Sequence, residues 1–190
     1  MKLNIPKKKL VTLIILILSV VLIGIGTWYY LAVYQNQATQ EEVNSLRSDV
    51  QQHINTGEAE EASTIAKNFY DSKRMSDEIR WQVAQILGGI YAIKGDYAAS
   101  RDWYLKAGEL NPSGLNYELA LGIAQAAIKL NDRTLAIDYY KKAIELAKND
   151  NNEFNDLYIP GYEQTIKLLE NPNVDLNQPQ SLGKVESLQQ

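Results

Sequence analysis

The chain has 190 residues, a net charge of −4 and no cysteine. That length holds one modest domain with appendages, and the missing cysteine excludes a disulfide framework, a thiolate metal site and a cysteine nucleophile. Twelve tyrosines against two phenylalanines favour packing in which a ring is buried and its hydroxyl stays near water.

Residues 1–9 carry Lys2, Lys7, Lys8 and Lys9 and no acid, and read as a cytoplasmic N-terminus. From Leu10 to Tyr34 run twenty-five residues without a charge, more than the roughly 20 that cross a bilayer as a helix. Trp28, Tyr29, Tyr30 and Tyr34 gather at the far end, where an interfacial aromatic belt would lie. The expectation is a transmembrane helix over 10–34. A cleavable signal peptide ending near Gly24-Ile-Gly26 fits less well, because the apolar text continues past it. Lysines before the span and none just after it predict a single-pass protein of the cell membrane, its N-terminus cytoplasmic and the rest extracytoplasmic.

After a linker over 35–40, helical periodicity starts at Glu41 and an all-α domain is expected over 41–170. Val43, Leu46, Val50 and Ile54 make a first stripe, Thr56-Gly57-Glu58 a turn, and Ala59, Ala62, Ala66 and Phe69 a second stripe. Ser76 is a candidate N-cap followed by Asp77 and Glu78. Ile86, Leu87, Ile90, Tyr91 and Ile93 then follow a 3.6-residue period. Gly88 inside that helix costs about 1 kcal/mol relative to alanine, and a closely packed second helix is the reason expected for it. Lys94-Gly95-Asp96 turns the chain. Ala99, Trp103, Tyr104, Ala107 and Leu110 form the answering stripe, and Pro112 ends it.

Another hairpin follows. Leu119, Ile123, Ala127 and Leu130 face Ala136, Ile137, Tyr140, Ala143 and Ile144 across Asn131-Asp132, where asparagine tolerates the left-handed conformation that glycine supplies elsewhere. The segments starting at Asp102 and Asp138 are near copies, 36 residues apart, with a lengthened loop expected at Ser113-Gly114. Lys148–Asn152 breaks the pattern. Leu157, Ile159, Tyr162, Ile166 and Leu169 predict a closing helix interrupted or started at Pro160. The Asn-, Pro- and Gln-rich tail over 171–190 is expected to be disordered.

The stretch Gln85–Pro112 resembles a tetratricopeptide repeat. Leu87, Gly88, Tyr91, Gly95, Tyr104 and Ala107 fall on signature positions, while Ala84 and Ser100 stand where tryptophan and alanine are usual. The Glu41–Phe69 hairpin matches only through its turn glycine and Ala62. The resemblance implies an α-solenoid of about three hairpins plus a capping helix. It also implies a concave binding face made by the first helix of each repeat, presenting Gln82, Gln85, Gly89 and Ile93 and then Glu118, Leu121, Gln125 and Lys129. Gln85, Gly89 and Gly122 stand where chaperone-binding members carry a basic carboxylate clamp, so capture of a C-terminal carboxylate is not implied.

Catalytic signals are weak. His53 is the sole histidine and reads as a packing or surface residue. Glu41-Glu42 and Glu60-Glu61 point to different sides of their helices. No phosphate loop, dinucleotide fingerprint, nucleophile elbow or zinc-protease motif occurs, and the carboxylates have no metal-site spacing. No enzyme, cofactor or metal is therefore expected. Beyond Tyr34, fifteen Lys and Arg meet twenty-three Asp and Glu, the wrong balance for nucleic acid. The expected partners are proteins or peptides, and the bilayer through residues 10–34. The expected role is a membrane-anchored interaction adaptor or assembly factor. The alternatives are an extracytoplasmic holdase-like chaperone and a self-assembling structural subunit.

Overall fold

The computed structural model describes the backbone of residues 7–34, 37–72, 74–112, 115–149, 155–174 and 176. It divides into two units, 1–37 and 38–190. The first contains α1 (Lys7–Tyr34), whose described side chains, at 16–30, are exposed. The hydroxyls of Ser19 and Thr27 donate to the carbonyls of Leu16 and Ile23 in the same helix.

The membrane expectation is corrected here. Among the described residues no helix is long and apolar enough to cross a membrane. The single-pass location, the orientation and the signal anchor drawn from the span fall with it.

The second unit is all-α. Its helices are α2 (Gln40–Asn55), α3 (Ala59–Ser72), α4 (Asp77–Ile93), α5 (Tyr97–Leu110), α6 (Tyr117–Lys129), α7 (Arg133–Asn149) and α8 (Asn155–Glu170). Each packs on the next. In addition α2 touches α4 and α4 touches α6, so the first helices of successive hairpins adjoin, as in a helical-repeat solenoid.

One turn is used three times. Gly57, Gly95 and Asn131 have φ of 82°, 76° and 59°. In each turn the residue after the left-handed one donates its N–H to a carbonyl five residues back: Glu58 to His53, Asp96 to Tyr91 and Asp132 to Ala127, at 2.7, 3.0 and 2.9 Å. The left-handed residue itself donates three residues back, to Ile54, Ala92 and Ile128. Paired bonds of this kind satisfy carbonyls that a helix end leaves open. The α2–α3 hairpin thus turns as the other two do, despite its weak sequence match.

Helix starts are capped by the residues that follow those turns or loops. Asp96 accepts from the Ala99 N–H, Asn116 from Leu119 and Asp132 from Leu135. Thr39 and Glu42 form a reciprocal capping box at α2. Ser76 does hold the N-cap position of α4, but its side chain makes no capping bond.

The core follows the predicted stripes. Val43, Leu46, Val50, Ala62 and Ala66 pack with Val83, Leu87 and Ile90. Ala84, Ala107, Leu119 and Ile123 form the middle cluster. Tyr140, Ile144, Ile159, Tyr162, Ile166 and Leu169 form the last. Pro160 lies inside α8 and does not end it. Beyond α8, Val174 and buried Leu176 rest on that last cluster, so packed chain continues past Asn171. The guanidinium of Arg133, at the start of α7, donates to the carbonyls of Leu169, Asn171 and Val174. It thereby ties the end of α8 to the preceding hairpin. The expected loop at 113–114, the break at 150–152 and the tail from 177 lie outside the described residues, as does the Leu157 side chain.

Candidate binding groove

Gly88 faces the second helix of its hairpin, as its place in the sequence predicts. A Cβ built on it would stand 2.6 Å from Cδ1 of Tyr104. The other side of the same ring lies against Gly122 of α6, whose Cβ would stand 2.8 Å from Cε2. Real Cβ atoms do not approach carbon so closely, so both positions are open to Tyr104 because they carry no side chain. Ser100, on the same face of α5, donates its buried hydroxyl to the Gly88 carbonyl at 2.8 Å and holds the two helices at that separation.

Tyr104 therefore threads from α5 between α4 and α6. Its hydroxyl reaches Gly89, at 3.5 Å from that residue's Cβ position. Burial pushes the phenol up from its ordinary value, so it remains neutral. It opens into a groove of ≈ 310 Å³ lined by Tyr117, Glu118, Leu121, Gly122 and Gln125 of α6 and by Tyr158 and Tyr162 of α8. Tyr162 is buried. Its phenol is likewise pushed up, first by burial and then by the neighbouring Tyr117 and Tyr158.

The residues expected on the concave face do not all come together. Glu118, Leu121 and Gln125 come together in the groove, and Gly89 borders it through the Tyr104 hydroxyl. Gln82 points elsewhere: its amide exchanges hydrogen bonds of 3.0 Å with Gln40 of α2, which joins the first helices of two hairpins. Gln85 is half-buried. At the far ends of α4 and α6, Ile93 is 61% exposed and the Lys129 ammonium lies 5.9 Å from the Tyr97 ring centre.

The groove tyrosines were not legible as a site. Tyr104 carries a family signature, and Tyr162 lies on an apolar stripe, so both read as core. The available signal was glycine on inner helical faces, at 88, 89 and 122, which leaves room for a side chain from another helix. His53, by contrast, is accounted for locally: its Nδ1 lies 2.7 Å from Glu58 in the first turn. Among the described residues no cluster of His, Cys, Asp and Glu could hold a metal.

The tetratricopeptide repeat family model matches residues 82–113 and 117–150. These stretches contain α5, α6 and α7 whole and α4 from Gln82 onward. No curated protein matches the chain at a significant level. Repeats of this kind point to a protein–protein interaction adaptor.

Proposed function

We propose that the chain is a non-catalytic interaction adaptor that seats a segment of a partner protein on the inner face of α4 and α6, against α8. The observation carrying this reading is the convergence of Glu118, Leu121 and Gln125 with the threaded Tyr104 in one groove. Its volume of ≈ 310 Å³ is at the lower end of the roughly 300–1,000 Å³ typical of ligand sites. The lining combines apolar rings with a few polar groups, the usual composition of a specific site.

The test is affinity capture with the full chain, followed by sizing of the complex. Gln125→Arg, at an exposed position, should leave the circular dichroism melt within about 0.5 kcal/mol of wild type, as for other surface changes, and should abolish a stoichiometric complex. Glu109→Gln with Glu145→Gln, exposed positions on the second helices, should retain it. Loss in the second variant with retention in the first would move binding away from the groove. Many substoichiometric clients would indicate a holdase, and self-association alone a structural subunit.

A further inference from the structure

We propose that the groove is an arginine socket: a partner segment inserts one arginine among the tyrosines to meet Glu118. This rests on the groove being the binding site and names the chemistry of its occupant.

Charge gives the sign. Among the described residues, Glu118 is the only charged one lining the groove. It is exposed, and no hydrogen bond or ion pair to it occurs among the described residues. A carboxylate in that position repels an acidic occupant and leaves an apolar one with no partner for its charge. Four tyrosine rings share the wall. Of these, Tyr158 is exposed and its face can attract a cation, while Tyr104, held between Gly88 and Gly122, offers its phenolic oxygen as an acceptor of N–H bonds.

Size gives the extent. A space of ≈ 310 Å³ takes one long side chain, not a folded element. Shape favours arginine over lysine. A planar guanidinium with five N–H donors can pair with a carboxylate through two bonds while stacking on a ring, whereas an ammonium acts as a compact point charge.

The chain shows the same chemistry satisfied internally on another surface. The Lys106 ammonium lies 4.7 Å from the Tyr70 ring centre and 4.8 Å from that of Trp103, and those two rings meet edge to face at 5.0 Å. Lys142 sits likewise over Tyr139. In the groove, Tyr158 is 39% exposed and has no such cation over it among the described residues. In the groove the cation is left to the partner.

The test titrates the full chain, with ring-labelled tyrosine, against capped Gly-Arg-Gly, Gly-Lys-Gly, Gly-citrulline-Gly and Gly-Glu-Gly, followed by NMR. The arginine peptide should shift the Tyr104, Tyr158 and Tyr162 signals saturably at millimolar concentration, with lysine weaker. Citrulline keeps the shape without the charge and should bind about tenfold more weakly or worse, as should arginine to Glu118→Gln. The melting temperature of that variant should be unchanged. Equal binding of citrulline, no effect of Glu118→Gln, tighter binding of the glutamate peptide, or no saturable shift with arginine would each overturn the socket. If the socket fails while Gln125→Arg still abolishes partner capture, the groove stands and only its occupant is wrong.

Discussion

The ring of Tyr104 occupies the space that a side chain on Gly88 would need, with Cδ1 only 2.6 Å from the Cβ position. The ring cannot step aside, because Gly122 bounds it on the other side at 2.8 Å. Gly88→Ala should therefore destabilise the fold despite alanine's better helix propensity, by roughly 1–3 kcal/mol for overpacking less about 1 kcal/mol for propensity. In a Tyr104→Ala background the clash disappears, and the same substitution should become neutral or stabilising. A double-mutant cycle by chemical denaturation reads this coupling. Additive effects would mean that the ring does not thread the two helices.

The three turns allow a cleaner backbone test. Space around Gly95 is open, with no atom within 4 Å of its Cβ position. Its φ of 76° nevertheless lies where a side chain costs about 1–2 kcal/mol. Gly95→Ala should lower stability by that amount through the backbone alone. Asn131→Gly should be neutral or stabilising, because φ at 59° is already tolerated there. Thermal melts of both variants check the pair.

Docking of α8 depends on Arg133. Arg133→Ala removes the donors to the carbonyls of Leu169, Asn171 and Val174. A charge-assisted hydrogen bond contributes about 1.5–3 kcal/mol. Hydrogen exchange should show faster opening of α8 with α4 unchanged. Equal loss of protection across all helices would mean that α8 does not open as a separate unit.

In the first turn, Glu58 is held below its ordinary value, chiefly by its hydrogen bond to His53 and next by that to Thr56. A carboxyl lowered in the folded state contributes stability that is present above its unfolded pKa and lost as pH falls through the folded value. NMR titration should place the Glu58 midpoint below the usual 4.5, and His53→Ala should move it back up. A Glu58 midpoint unaffected by His53→Ala would show that the contact does not persist in solution.

Much of this architecture was legible because it is local. Apolar spacing placed the helices, and Gly95, Asn131 and Asp96 announced their turns through conformations that few other residues adopt. Gly88 announced a close contact. What was not legible came from distant residues meeting. Gln82 looks like a surface amide until Gln40, 42 positions earlier, is placed against it. Arg133 looks like a solvated charge until the end of α8 folds back onto it. The groove needs Tyr104, Glu118 and Tyr158 from three different helices, and no spacing rule within one helix relates them. The reading of residues 10–34 failed for a different reason: it took an apolar run as sufficient, whereas among the described residues no helix meets the length and apolarity of a span.

The most direct test of the account is site-specific photocrosslinking. A photoreactive phenylalanine replaces Gln125 in the groove or Glu109 on α5, both exposed positions, in the full chain bound to its captured partner. The account predicts a covalent partner adduct from position 125 and none from position 109. An adduct from position 109 without one from position 125 would contradict it.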